Sequence, residues 1–441
     1  MGLRAVAVAG CCWALLACPL AVERAGARGW TAPASLPREA YASELDVDLG
    51  DRGGVLAFPR GIYPRPLIVA RITTRGTLGP LRRVPGSHEV AEELAAAVDR
   101  RGDAALAWAF PDVKPGEEDL RFPCCDRAAA ATWRRGHPPS RAVPLSTPDD
   151  HIRDLTVGMG RAGTGIVLWQ LLDSGAVGGA VGRRGAGFAP FELDPGQGGF
   201  GDVGVSLGLD ARGRALAVWG RRSGLRTATS DASGVFGRQR ALHLPRDALD
   251  SFETTVRTDR HGNQVAVWQG RSGSARDTIQ TAFRRPGADF GRPRVLTRDG
   301  RAGAPAVAMG AAGHVVVAWA SRRSRRTVTR VARRRPGGRF GPPQTLSRAG
   351  SETSEPAVGA DSRGRAIVLV SIGDERTAEV RAFRAGPTRP FGHGEDVSRA
   401  GRGSYCDDPH LDVSARGAAF AWWECTLANG DMVGRHAAFR P

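Results

Sequence analysis

A layout that recurs about every 50 residues constrains this chain more than any other feature. It is plainest from Ala304 to Ser347. An apolar strand at 305–309 leads through a turn at 310–313 into a long apolar strand at 315–319, and an Arg/Ser loop follows. An alternating strand at 327–333, a Pro-Gly turn and a last segment at 340–346 complete the unit. Four short strands between turns cannot bury their own faces, so repetition implies stacking or a ring. Anchoring on the Gly that closes the first turn gives Gly53, Gly102, Gly163, Gly213, Gly262, Gly313, Gly364 and Gly417. These are eight units, spaced by 49, 61, 50, 49, 51, 51 and 53 residues. Asp99, Asp210, Asp259 and Asp361 stand three residues before their Gly. That is ordinary turn chemistry, in which Asp accepts hydrogen bonds from its own turn and Gly supplies a positive φ.

An almost unbroken apolar run follows each Gly, commonly ending in Trp six residues on: Trp108, Trp169, Trp219, Trp268, Trp319 and Trp423. Unbroken hydrophobicity marks a strand covered on both faces, so the Trp stripe reads as packing. Third strands alternate, as in 278–283 and 327–331, and suit a place nearer the rim. Fourth strands carry Phe six residues before an apolar position, as in Phe236 with Leu242 and Phe391 with Val397. The eighth unit stops at Pro441 after its third strand, and Trp30 to Leu36 carries the missing fourth-strand pattern. A strand from the N-terminus completing the last unit closes the ring and removes exposed edges. The expected fold is all-β: one domain over 28–441, an eight-bladed β-propeller, with seven blades as the alternative if the long second unit is irregular.

The Asp-x-x-Gly turn, apolar run and Trp together resemble the secreted bacterial β-propeller repeat proteins, and more distantly the sialidase-like propellers. The resemblance spans essentially all of 28–441. The sialidase Asp-box, Ser-x-Asp-x-Gly-x-Thr-Trp, is not matched, because here the Asp-to-Gly interval is one residue longer and the Trp lies further on. A sialidase Tyr nucleophile would have to come from Tyr41, Tyr63 or Tyr405.

Residues 1–27 read as an export signal: Arg4, an uncharged stretch at 5–22 and the small-residue site 25–27. The protein is therefore expected to be secreted or on the cell surface. Leu15-Leu16-Ala17-Cys18 resembles a bacterial lipobox and makes a lipid anchor on Cys18 the alternative. Beyond the signal four Cys remain, Cys124, Cys125, Cys406 and Cys425, and an even number in an exported chain favours disulfides. Cys406 with Cys425 is the first choice, stapling the last unit across 18 residues. Cys124 and Cys125, being adjacent, could form a vicinal bridge. The set Cys406, His410, Glu424 and Cys425 matches no closed zinc spacing, so no metal is expected, and no cofactor is assigned. A net charge of +17 would suit an anionic polymer, yet among 62 basic residues only Lys114 is a lysine, which points to compositional bias. No basic run is interleaved with stacking aromatics, so nucleic acid is not an expected partner.

Nine residues before the anchoring Gly stand Glu44, Glu93, Asp154, Glu253, Glu355 and Asp408, with Gly204 and Ala304 in the other two units. On innermost strands these would form an acidic ring at the channel mouth, where like charges raise one another's pKa and attract cations or guanidiniums. Arg-rich second-to-third-strand loops share that face, with Arg222, Arg276 and Arg376 as candidate ligand contacts and Arg–carboxylate pairing across units as the structural expectation. The preferred function is an exported, monomeric, non-catalytic propeller that binds a protein or glycan on its loop face. The alternative is a carbohydrate-active hydrolase or lyase of sialidase-like type using the ring carboxylates, since glycoside hydrolysis needs such pairs.

Overall fold

The structure is a computed structural model. It describes residues 29–37, 40, 44–60, 65–87, 93–110, 127–147, 150–160, 163–183, 187–196, 204–210, 212–221, 224–242, 254–272, 276–297, 301–323, 326–347, 352–374, 376–399 and 403–441. The expected signal, Cys18, Cys124, Cys125, Glu253 and Arg222 lie outside these residues.

The regular elements are β-strands. Six antiparallel sheets follow one another along the chain over 46–83, 94–144, 152–194, 206–242, 254–297 and 301–345. A nine-stranded sheet holds the rest. It comprises two antiparallel units, 352–396 and 405–439, joined by one parallel contact between Ala378 and Tyr405. Its edge is Ala34–Ser35, antiparallel to Met432–Phe439, with Ala34 opposite His436 and Ser35 opposite Arg435. The N-terminal stretch thus lies beside the terminal strand. Trp30 bridges Phe439 with ring centroids 5.5 Å apart, and Leu36 donates its N–H to the Gly434 carbonyl at 3.0 Å.

All eight anchoring glycines have positive φ, from 78° at Gly163 to 104° at Gly53. At Gly53 no side chain is possible, since a Cβ would overlap the Ile72 carbonyl. The turn Asp residues behave as their spacing implies: Asp259 Oδ1 accepts the N–H groups of His261 and Asn263, both at 2.8 Å. Two expected loops are instead largely strand. Val315–Arg323 and Arg326–Arg334 pair out to Arg323 opposite Arg326, and Gln264–Ser272 with Arg276–Arg284 does likewise. In the sixth unit the extension gains its own partner, Arg301–Ala302, set apart from Ala306–Met309 by Pro305, whose missing N–H breaks the inner strand.

Eight buried apolar clusters each join one unit to the next. Units one and two share the cluster of Val55, Leu106 and Trp108. Another puts Leu36, Val47 and Phe58 against Phe420 and Trp422, first unit against last. Trp108, Trp219, Trp268, Trp319 and Trp423 are fully buried, as two-sided covering of the second strands requires. The innermost strands neighbour one another in chain order, and Tyr405–Val413 neighbours Asp46–Gly50.

Candidate functional site

An innermost strand has no strand beyond it, so its inward N–H groups need other acceptors. Side chains from the preceding unit supply them. Asp46 Oδ2 accepts the Ala96 N–H at 2.6 Å, and Asp48 accepts that of Val98. The Asp154 carboxylate accepts the Val205 N–H, and Ser206 Oγ accepts that of Val256 at 3.3 Å. Asp412 of the last unit accepts the Leu49 N–H of the first. The same stitch therefore links several pairs of consecutive units and links the end of the chain to its beginning.

Among the described residues this stitching concentrates charge at Asp46, Asp48 and Asp412. All three are half-buried, facing the axis yet enclosed by protein that displaces bulk water. Burial pushes Asp46 up to about 7. The Asp412 charge adds to the rise, and the N–H groups of Ala96 and Val47 and the nearby His410 partly offset it. Burial also lifts Asp412 to about 6, against the Leu49 and Val413 N–H groups and Arg257. Asp48 is raised by burial first, then by Asp412. Arg257, on the inner strand of the fifth unit, donates to the Val256 carbonyl at 3.1 Å and is enclosed by protein that displaces bulk water. Burial lowers its pKa and Asp412 opposes that.

His410 sits at the edge of this group on a bulged strand. Its ring stacks on Trp422 at 5.1 Å and 8°, and Nε2 lies 3.1 Å from Asp408 Oδ2. Asp408 has a φ of 51°, and its bond to His410 holds its pKa below the usual value.

The described residues of the expected ring stand one to a unit, in differing surroundings. Glu44 is ion-paired with Arg65 of its own unit. The Glu93 carbonyl accepts the Ala109 N–H at 2.9 Å, and the exposed Glu355 follows a broken inner strand. Asp154 is lifted to about 6 by burial, with the Val205 and Leu155 N–H groups opposing. The gap in the ring at Gly204 has a physical reason: a Cβ there would overlap the Asp154 carboxylate of the preceding unit. Arg276 opens a strand, and Arg376 is exposed with its N–H on Asp374 Oδ1 at 2.8 Å. Arg221, another member of the Arg-rich segments, pairs with buried Asp194, which also accepts the Trp219 indole N–H at 2.6 Å. Cys406 and Cys425 are bonded across neighbouring strands of the last unit. Among the described residues no group of three His, Cys, Asp or Glu side chains is placed to hold a metal ion, and no helix is long and apolar enough to cross a membrane.

The carboxylates that do meet carry a signal in the sequence. Five residues before the anchoring Gly stand Asp48, Arg257 and Asp412, while the other five units have Gly or Ala. A Cβ on Gly158 would overlap Leu209 of the next unit, and one on Gly359 would overlap Val413. The slot thus takes either a small residue filled from the neighbouring unit or a charged one.

No family model matches the chain, and no curated protein matches it. Among solved structures it is similar to the BP39L lectin from Burkholderia pseudomallei, with 12% identity, a TM-score of 0.54 and coverage of 82% of this chain and 100% of that one. This chain is a β-propeller. A polysaccharide lyase, ulvan lyase, aligns at 10% identity over 81% of this chain and 96% of its own, with a TM-score of 0.49. The propeller domain of the Trilobed protease from Pyrococcus furiosus aligns at 10% identity over 79% and 95%, with a TM-score of 0.45. At these identities the likeness concerns the fold alone.

Proposed function

We propose that the chain is an eight-bladed propeller over 28–441, latched by Trp30 to Leu36, and that it acts as an exported, monomeric, non-catalytic module binding a glycan or protein. The observation that carries this reading is the occupation of the inner carboxylates. Asp46, Asp48, Asp154 and Asp412 each accept a backbone N–H of the following unit, so they serve the frame. The ends of the second and third strands, with Arg222, Arg276 and Arg376, are left to vary as the ligand face. The Cys406–Cys425 bond supports an oxidising compartment. The test is a glycan array probed with the chain lacking residues 1–27, beside size-exclusion chromatography. Saturable binding of a glycan class without turnover supports the reading, and release of product from any bound glycan overturns it.

The second reading is a carbohydrate-active hydrolase or lyase. One observation favours it: Asp46, lifted to about 7, stands beside Asp412 and His410, and a carboxyl tuned near neutrality is what general acid catalysis needs. Reducing-end release from acidic and neutral polysaccharides, lost in both Asp46→Asn and Asp412→Asn, would establish it.

A further inference from the structure

We propose that a cavity between the second and third units, at the end of the units opposite Arg276 and Arg376, is an additional binding site for a carboxylated sugar residue; this rests on the glycan reading above. The cavity, of about 460 Å³, lies between the hairpin that follows Arg127–Trp133 and the start of Phe188–Asp194 in the next unit. Small-ligand sites span roughly 300–1,000 Å³, so one monosaccharide unit fits. Its polar lining is cationic. Arg134, Arg141 and His137 line it and are exposed, the Arg141 side chain running beside Gly86 of the first unit, and no carboxylate lines the space. Its apolar lining includes Ala130, Val143, Pro138 and the buried Pro139 and Phe188, a surface that complements the C–H groups of a sugar.

The hairpin that presents these groups is held on several sides. The Trp133 indole donates to the His137 carbonyl at 2.8 Å, and Ser140 Oγ accepts the Thr132 N–H at 2.9 Å. The Arg135 N–H is held by Asp103 at 2.9 Å, and the Arg71 guanidinium lies 4.0 Å over the Trp133 ring. A guanidinium carried on a fixed hairpin costs little ordering entropy on binding, and it favours a carboxylate as a planar, bidentate acceptor. Ser140 is already used by Thr132 and by the Arg141 carbonyl, so recognition falls to the two Arg and His137. The same face carries an exposed Arg at one turn position in several units, Arg52, Arg101, Arg212, Arg363 and Arg416, which draws anions towards it.

The test is isothermal titration of the chain lacking residues 1–27 with sodium glucuronate, glucose and inorganic phosphate, repeated on Arg134→Gln and Arg141→Gln. Both positions are exposed, and unchanged melting temperatures would show that the variants fold. The expected result is saturable glucuronate binding, at least ~10-fold weaker for glucose and ~10-fold or more weaker in each variant, as loss of a charge-assisted hydrogen bond implies. Glucuronate binding that ignores both substitutions, or no binding at all, overturns the site. Phosphate binding as tight as glucuronate overturns the sugar assignment. The glycan array separates this proposal from the one it rests on. Array binding that survives both substitutions keeps the binding-module reading and sinks the cavity. Arg-dependent glucuronate binding with a blank array keeps the cavity and sinks the broader reading.

Discussion

Replacing Asp46 by Asn should make the protein less stable in acid and more stable in alkali. Asp46 is raised from 3.8 to about 7 chiefly by burial, so its neutral form belongs to the folded state. A raised folded pKa gives stability that is complete below about 3.8 and is lost as pH climbs through about 7. At ~1.4 kcal/mol per pH unit the interval corresponds to about 4 kcal/mol, and the partial exposure to the axis cuts this to ~2 kcal/mol. Both carboxyl oxygens accept N–H groups, of Val47 at 2.9 Å and Ala96 at 2.6 Å, and an amide can keep only one, a loss of ~1 kcal/mol at any pH. Urea denaturation of wild type and Asp46→Asn should therefore show the variant ~0.5 kcal/mol weaker at pH 4.5 and ~1 kcal/mol stronger at pH 8.5. A difference that does not change sign or size between the two pH values would refute the assignment of Asp46 as a buried, charge-penalised stitch.

Three further outcomes follow from the same contacts. Gly204→Ala should destabilise by ~1–3 kcal/mol in thermal melts, because its methyl group would enter the Asp154 carboxylate, and Gly204→Ala with Asp154→Ala should recover part of the loss. Cys406→Ser with Cys425→Ser should lower stability by ~3 kcal/mol in denaturant titrations, the loop-entropy value for a closure of this length. His436, buried against Phe420 and lowered to about 4 by burial alone, must stay neutral when folded, so stability should fall as pH drops from 6.5 to about 4. The His436→Phe variant should lack ~2 kcal/mol of that fall when stabilities from urea titrations are compared at pH 7 and pH 4.5.

Turn chemistry and two-sided burial are local properties, and both were legible in the chain. The eight Gly anchors, the Trp stripe and the fourth-strand pattern at Trp30 all fall where the spacing puts them. Which carboxylates meet was not legible from Glu44 or Glu355, because it depends on the face an inner strand turns to a unit 50 residues away. Asp46, Asp48 and Asp412 point at the next inner strand, whereas Glu44 lies before its strand begins and turns to Arg65. The long hairpins at Arg323 and Arg276 escaped for a related reason: their extra rungs depend on tertiary partners, such as Arg301–Ala302, that no local pattern announces. Gly204 and Gly158 show what an alignment of the units can add, since a small residue in a repeated slot marks where a neighbour's side chain enters.

The central claim is that the N-terminal stretch completes the last unit of the wheel. It is tested most directly by pairing Ser35→Cys with Arg435→Cys, directly opposed residues whose side chains already touch at 3.1 Å, and mapping disulfides by mass spectrometry without reductant. The account predicts a near-complete intramolecular cross-link between the two positions and none when Ser35→Cys is combined with Arg389→Cys on another unit. Free thiols at both positions, or cross-links only between molecules, would contradict it.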